Sequence, residues 1–367
     1  MSLRVIVAPD SFKGSLPAHR VAQAIAQGWS SERPDDEVLL IPQADGGEGT
    51  LDAIEAAVPG SRRRTVPRCT GPDQQPTSAE WLQLPDGTAV IELAQSSGLP
   101  LMADLDALGA TTRGLGEVID AALEAGARAL VIGLGGSAST DGGSGALSAL
   151  GLRLLDSAGG ELADGGGALA ELRSVDAAAL KAAPAGGVVL ITDVTAPLLG
   201  PLGAAAVFGP QKGATSAQVE QLDAALGRFA AVLGGDSTFA GAGAAGGSAF
   251  GFVSAWGADV RAGADYVAEL SGFAELVAGA DVVLTGEGRF DSQSMGGKVV
   301  GALVARAAQS EASVGIIAGQ VDVAPPGIWT TSLVGLAGSV DAAMGDPERW
   351  LIEAGRLAAA EMTASRR

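Results

Sequence analysis

Short apolar strands alternate with helices at both ends of this chain, and this alternation constrains the fold more than any other feature. In the first sixty residues, strand-like runs at 3–8 and 37–41 each precede a stretch with helical spacing. The alternation returns near the end, where apolar strands are predicted at 281–285, 313–318 and 331–334. Because strands that alternate with helices form a parallel sheet covered on both faces, the sequence predicts a doubly wound α/β fold.

The middle of the chain has a different pattern. Strand-like runs at 77–84 and 88–93 flank a Pro-Asp-Gly turn and predict a β-hairpin. Glycine and alanine dominate 157–187 and 234–249, which we interpret as loops. We therefore predict a discontinuous α/β domain at 1–61 and 276–367, interrupted by an inserted mixed α/β domain at 62–275. Two domains side by side are the simpler arrangement, but the first sixty residues would then form a sheet of only two strands.

The composition excludes several classes of protein. A net charge of −19 argues against nucleic acid or an acidic membrane surface as a partner. A single cysteine, Cys69, and a single histidine, His19, exclude a disulfide framework, Ser-His-Asp or Cys-His catalysis, and His-ligated zinc. Neither a signal peptide nor a long apolar run is evident, so we expect a soluble, cytoplasmic protein. The oligomeric state is left open.

Three of the four lysines lie in glycine-rich polar turns. They are Lys13 in DSFKGS, Lys212 in GPQKG and Lys298 in SMGGK, whereas Lys181 has an ordinary helical context. A lysine ammonium is a compact charge, and neighbouring glycines let a backbone N–H approach a ligand closely. Any one of these lysines is as readily explained as solvated, but the three together favour a phosphate-containing ligand.

Polar, glycine-rich segments follow five predicted strands, at 3–8, 37–41, 129–134, 188–192 and 281–285. They carry Asp10, Ser11 and Lys13; Asp45; Asp141; Asp193; and Glu287, Arg289 and Asp291. Each Asp-Gly pair alone is more often a turn than a site. However, ligands bind open α/β sheets at the carboxyl ends of the strands. Carboxylates, hydroxyls and lysines in these positions are what a magnesium–nucleotide complex requires.

The segment 133–143 allows a second interpretation. Gly133-Leu-Gly-Gly-Ser-Ala138 fits the dinucleotide pattern G-x-G-x-x-A, and Asp156 follows about twenty residues later, so an NAD-type oxidoreductase is the alternative. Two features disfavour it: Asp141 would face the pyrophosphate, and two glycines after it weaken the helix that must follow. Asp141 as a simple helix N-cap is a third interpretation.

Taken together, seven segments resemble those of bacterial glycerate kinases. They are APDSFKGS (8–15), ADGGEG (44–49), GGSA (135–138) with DGG (141–143), DVT (193–195), FGPQKG (208–213), GAGAAGG (241–247) and GEGRFDSQ (286–293). The resemblance covers almost the whole chain and implies a flavodoxin-like domain with an inserted second domain. It also implies phosphorylation of D-glycerate to 2-phosphoglycerate with ATP and Mg2+. Thr140 and Gly296 depart from the family, which has Asn and often His there.

These patterns and the resemblance together give each candidate residue an expected role. Catalysis is assigned to Lys13, Asp193, Asp45 and Lys212. The cofactor site comprises Gly135, Gly136, Ser137, Asp141, Gly142, Gly143 and Lys298, with the glycine and serine amides cradling phosphate. The substrate site comprises Asp10, Ser11, Glu287, Arg289 and Asp291, with Arg289 binding the carboxylate. Asp193 and Asp291 are the candidate Mg2+ ligands, and Asp193, Asp45 and Asp291 are alternatives for accepting the hydroxyl proton. Which lysine meets which anionic group is left open.

Overall fold

The computed structural model describes residues 2–292, 294–296 and 298–363. They form two compact units, the first made of 1–45, 52–59 and 263–367 and the second of 46–51 and 60–262. The predicted division at residues 62 and 275 into an interrupted domain and an insert stays a proposal, because close packing alone does not show that either part folds independently. In the described residues, no helix has the length and apolar character needed to cross a membrane.

The secondary-structure elements of the described residues are numbered in chain order. The strands are β1 (Arg4–Val7), β2 (Glu37–Leu40), β3 (Arg62–Thr70), β4 (Pro76–Gln83), β5 (Thr88–Glu92), β6 (Ala129–Gly133), β7 (Arg153–Leu155), β8 (Ser174–Asp176), β9 (Val188–Ile191), β10 (Asp259–Arg261), β11 (Val282–Thr285), β12 (Arg289–Phe290), β13 (Ser313–Ala318), β14 (Gln320–Val321) and β15 (Trp329–Ser332). The helices are α1 (Ala18–Glu32), α2 (Thr50–Ala57), α3 (Ala94–Ser97), α4 (Arg113–Glu124), α5 (Ser144–Ala149), α6 (Ala204–Phe208), α7 (Ser216–Leu233), α8 (Ala244–Trp256), α9 (Gly263–Leu270), α10 (Phe273–Val277), α11 (Val299–Ala307), α12 (Leu333–Ala337), α13 (Val340–Gly345) and α14 (Pro347–Met362). Short 3-10 helices lie at Leu99–Leu101, Gly166–Glu171 and Pro210–Lys212.

A parallel sheet with the strand order β15-β13-β11-β1-β2 forms the centre of the first unit. Numbered within this unit alone, the order is 2-1-3-4-5, which is the flavodoxin-like order. The predicted fold class is thereby confirmed. The direction of winding reverses between β1 and β11, so the carboxyl ends of these two strands form the topological switch point.

Helices cover both faces of this sheet, because successive side chains of β1 point to opposite faces and Val5, Ile6 and Val7 are all fully buried. Val5 and Val7 pack with α1 and α14 on one face, and Ile6 packs with α9 and α11 on the other. A Cβ at Gly28 would lie 1.9 Å from the Ile352 oxygen, so glycine is what permits the close approach of α1 and α14. The sheet is therefore held between two apolar layers that fix its carboxyl edge.

The second unit contains a mixed sheet with the order β10-β9-β6-β5-β4-β3. Strands β5, β6, β9 and β10 run parallel, whereas β3, β4 and β5 pair antiparallel. The hairpin predicted around residues 85–87 is confirmed by the pairing of β4 with β5. Packing of Phe229 on Phe250, with ring centroids 6.1 Å apart, joins α7 to α8 in the core of this unit.

Four local predictions were wrong. The region 157–187, predicted as loops, contains the 3-10 helix Gly166–Glu171 and strand β8, which pairs with β7. Lys181, for which a helical context was predicted, lies outside any helix, between β8 and β9.

The last strand was predicted at 331–334 but ends at Ser332, because the Ser332 hydroxyl accepts a hydrogen bond from the Gly335 N–H and starts α12. The loop predicted at 234–249 instead contains the beginning of α8. Its first turn has residues in the left-handed conformation, Ala245–Gly247. Because a glycine-rich sequence does not predict a helix, the apolar helix that follows was not predicted.

Candidate active site

Two loops that carry predicted site residues lie at the switch point of the first unit. The loop after β1 holds Asp10, and the loop after β11 begins at Gly286. The Asp10 N–H donates to the Gly286 oxygen at 2.8 Å, and the Thr285 hydroxyl donates to the Ala8 oxygen at 2.9 Å. These bonds fix the two loops side by side, at the position where open α/β sheets bind ligands.

A cavity of about 460 Å³ lies in the first unit at this switch point. Its polar wall contains the predicted site residues of this unit, which are Asp10, Ser11, Lys13, Asp45, Glu287, Arg289, Asp291 and Lys298. Its other wall is apolar and is formed by Leu333, Val334, Val340, Ala343, Met344 and Pro347. Residues predicted from four separate segments are thus brought together, whereas the apolar wall was not foreseen. Gln293 of the motif at 286–293 lies outside the described residues.

The carboxylates of Asp10 and Asp45 and the ammonium of Lys13 form one electrostatic group. Lys13 Nζ lies 3.6 Å from Asp45 Oδ2, and Asp45 is the main cause that raises the pKa of Lys13. Asp10 is 8% exposed, and its Oδ1 accepts a hydrogen bond from the Ser11 N–H at 2.6 Å. Burial, followed by the charge of Asp45, raises the pKa of Asp10 to about 7. Asp10 can therefore exchange a proton near neutral pH.

Glu287 adds a further carboxylate to the cavity. Burial raises its pKa, against the opposing influence of Ser294 and Lys298. Its Oε1 is buried and has no hydrogen-bond partner within the described part of the chain. A buried carboxylate oxygen of this kind is costly unless a cation or a donor meets it. The cavity therefore favours a ligand that brings a cation or a hydrogen-bond donor to Glu287.

Arg289 lies at the exposed rim of the cavity and already has an anionic partner. Its Nε and Nη2 lie 3.1 and 2.8 Å from Asp322 Oδ2. Binding a substrate carboxylate through Arg289, as predicted, would require the guanidinium to share or exchange this partner.

The predicted site residue Lys212 is buried in the second unit, beside two other predicted residues, Ser137 and Asp141. Lys212 is 2% exposed, and its Nζ donates to Ser137 Oγ at 2.8 Å and to the Ser139 backbone oxygen. Burial lowers the pKa of Lys212 to about 8, although the charge of Asp141 opposes this. Neither the Gly136 N–H nor the Ser137 N–H donates to any residue that the structure describes. The Lys212 ammonium and these two N–H groups are therefore available as hydrogen-bond donors to an anion.

Hydrogen bonds inside the protein already engage Asp141 and the N–H groups of Gly135, Gly142 and Gly143. The N–H and hydroxyl of Thr112 donate to Asp141 Oδ2 at 2.9 and 2.7 Å, and the Gly143 N–H donates to Oδ1 at 3.2 Å. The N–H groups of Gly135 and Gly142 donate to backbone oxygens, each at 3.0 Å. Asp141 is fully buried, so these bonds make it the internal support of the turn.

Asp193 lies at the same edge of the second unit's sheet. It follows β9, which pairs with β6, and β6 leads directly into the turn at 134–143. The next helix after that turn is α5, which begins only at Ser144 and has six residues. A dinucleotide site would need a helix N-terminus directly at the glycine turn, so this geometry disfavours the oxidoreductase interpretation.

Comparison with known proteins identifies the family. A sequence model of the glycerate kinase family matches residues 5–363. The chain is 46% identical over 320 residues to a glycerate kinase from Bacillus subtilis (strain 168), covering 84% of this chain and 82% of that protein. It is 42% identical over 306 residues to a glycerate 2-kinase from Escherichia coli (strain K12), covering 81% and 80%. A crystal structure described as a candidate glycerate kinase 2 from Salmonella typhimurium LT2 matches with a TM-score of 0.84 and 37% identity, covering 100% of both chains. This chain belongs to the glycerate kinase family.

Proposed function

We propose that this protein transfers the γ-phosphoryl group of ATP to D-glycerate, with Mg2+, and that the product is 2-phosphoglycerate. Membership of the glycerate kinase family supports the reaction class. The observation that carries the proposal is the switch-point cavity, in which Lys13 and Lys298 face the carboxylates of Asp10, Asp45 and Glu287. We also keep the cytoplasmic location predicted from the sequence as part of this proposal.

In the proposed reaction, the hydroxyl oxygen of glycerate forms a bond to the γ-phosphorus while the bond from that phosphorus to ADP breaks. The hydroxyl proton must leave, and Asp10 with its neighbour Asp45 is the carboxylate group that we propose as its acceptor. The pKa of Asp10, raised to about 7, suits proton exchange near neutral pH. Because the transition state is loose, such a base contributes less than the groups that stabilise phosphoryl charge.

The lysines are the proposed source of that charge stabilisation. Lys13 and Lys298 line the cavity of the first unit, and Lys212 with the N–H groups of Gly136 and Ser137 forms the donor group of the second. We propose that these groups bind the phosphates and the glycerate carboxylate. Charges that are already fixed in place stabilise a transition state more than water does, because water must reorient during the reaction.

The residues present also fit the Mg2+ that the family implies. Among the described residues, no three His, Cys, Asp or Glu side chains are grouped so that they could hold a metal ion. Mg2+ in kinases commonly takes only one or two carboxylates together with phosphate oxygens. Asp291, which lines the first-unit cavity, and Asp193, which follows β9 in the second unit, are each proposed as an Mg2+ ligand. In the first unit, the buried Glu287 Oε1 adds negative charge that favours a cation. When bound, the ion would neutralise charge on the phosphate oxygens.

The proposal is tested by measuring ADP release from the full-length protein. ADP should form only when ATP, Mg2+ and D-glycerate are all present, and omission of any one should stop it. NADH binding, followed by quenching of tryptophan emission, tests the alternative. Tight NADH binding without glycerate-dependent ADP release would refute the kinase proposal, and nucleotide binding without turnover would indicate a binding protein instead.

A further inference from the structure

The side chains on the apolar wall of the first-unit cavity offer no hydrogen-bond donor to a carboxylate or a phosphate. Val340 and Met344 are 48% and 58% exposed, and both line the cavity. They lie four residues apart on α13, so they project from the same face of this helix. Leu333 and Val334 of α12 extend this surface. Large apolar side chains that are exposed together on a cavity wall are typical of a site for an apolar part of a ligand.

The cavity is also larger than glycerate requires. Glycerate has seven non-hydrogen atoms and needs roughly 100 Å³ of such a cavity if each atom takes the 10–15 Å³ that one water molecule requires. The cavity volume of about 460 Å³ leaves about three quarters of the space unfilled. A second ligand, or a second part of one ligand, therefore fits beside glycerate.

The sheet order sets the distance between the polar and apolar ends of the cavity. Lys13 follows β1 and α12 follows β15, which is three strands away across β11 and β13. Neighbouring strands lie about 4.8 Å apart, so the two ends are separated by roughly 14 Å. A nucleoside triphosphate has this kind of shape, since two phosphates and a ribose separate its γ-phosphorus from its base.

We propose that the apolar wall formed by Leu333, Val334, Val340 and Met344 binds the purine base of the phosphoryl donor. The inference rests on the proposed function in taking ATP as that donor. A purine has flat apolar faces, and the thioether of Met344 is a suitable and adaptable contact for an aromatic ring. The triphosphate would then extend along the carboxyl edge of the sheet toward Lys298 and Lys13.

The test compares a ligand that has a base with one that lacks it. The full-length double variant Val340→Ser/Met344→Ser removes the apolar contact, and Val323→Ser is the matched control. Val323 is 64% exposed in the same unit but does not line the cavity. In the double variant, we expect the Kd for ADP and the KM for ATP to rise about tenfold or more, because apolar contact area is lost. The Kd for inorganic tripolyphosphate, the KM for glycerate and kcat should stay within about twofold of the wild type, since phosphate and glycerate contacts are retained.

Each outcome separates this inference from the proposed function. An unchanged ADP affinity in the double variant, or an equal loss for ADP and tripolyphosphate, would overturn the base site even if the wild type is an active kinase. A selective loss of ADP affinity in a protein without glycerate-dependent turnover would support the base site and refute the kinase proposal. A wild type that does not bind ADP would overturn both. If the double variant does not fold, the single variant Met344→Ser, changed at a largely exposed position, provides the same comparison.

Discussion

Replacing Asp10 by Asn should stabilise the protein at alkaline pH while lowering its activity. Asp10 is 8% exposed, and its pKa is raised from 3.8 to about 7, first by burial and then by the charge of Asp45. A folded-state pKa above the unfolded value gives stability that is complete below pH 4 and is lost as the pH rises through 7. The free-energy cost of ionising Asp10 in the fold is therefore about 4 kcal/mol by pH 8, and roughly a third of that at pH 5. Asn has the same shape, can keep the bond from the Ser11 N–H and does not ionise.

Thermal unfolding of wild type and Asp10→Asn between pH 5 and pH 8.5 measures this effect. At about 2–4 °C per kcal/mol, the apparent Tm of the variant should exceed that of the wild type by on the order of 10 °C at pH 8, and by much less at pH 5. Asp35→Asn, an exposed substitution in the same unit, is the matched control. The variant's kcat should fall by about a hundredfold if Asp10 accepts the proton. A Tm difference that does not vary with pH, or a variant that is less stable at pH 8, would refute the reasoning.

Three further predictions concern catalysis and use the ADP-release assay. Lys13→Met or Lys212→Met should lower kcat by a few hundredfold, or about 3–4 kcal/mol, and at least as much as Asp193→Asn; near-normal activity of both lysine variants would contradict their role. Activity of Asp193→Asn should recover in part at raised Mg2+ if Asp193 is a metal ligand, whereas no recovery would indicate a proton acceptor. His19→Ala should keep its activity, because His19 is a partly exposed residue 3.9 Å from Asp52 and does not line the cavity, and a large loss with the fold intact would show that it had been misplaced.

The strands of the first unit could be predicted from sequence, but their spatial order could not. Apolar runs identified β1, β2, β11 and β13 almost to their ends. The order in the sheet depends on pairing between β1 and β11, which lie far apart in the chain, and no local periodicity encodes such a contact. The family resemblance supplied the flavodoxin-like order in its place.

Within the site, residue type predicted which residues form the polar wall but not how deeply each side chain is buried. Lys13 and Lys212 were recognised by the same signal, a lysine in a glycine-rich turn. Lys13 is exposed in the cavity, whereas Lys212 is buried against Ser137, because only tertiary packing decides how deeply a turn is covered. Val340 and Met344 were missed because apolar residues four apart on a helix normally indicate a core-facing stripe.

The account's central claim is transfer of a phosphoryl group from ATP to a hydroxyl of D-glycerate, and phosphorus NMR of the reaction mixture tests it most directly. With protein, ATP, Mg2+ and D-glycerate, the γ-phosphorus signal should decline as a phosphate-ester signal grows. A phosphate on carbon 2 couples to one proton and gives a doublet, which is the result we predict. A triplet would place the phosphate on carbon 3 and correct the product. Release of inorganic phosphate alone, or no loss of ATP, would contradict the claim.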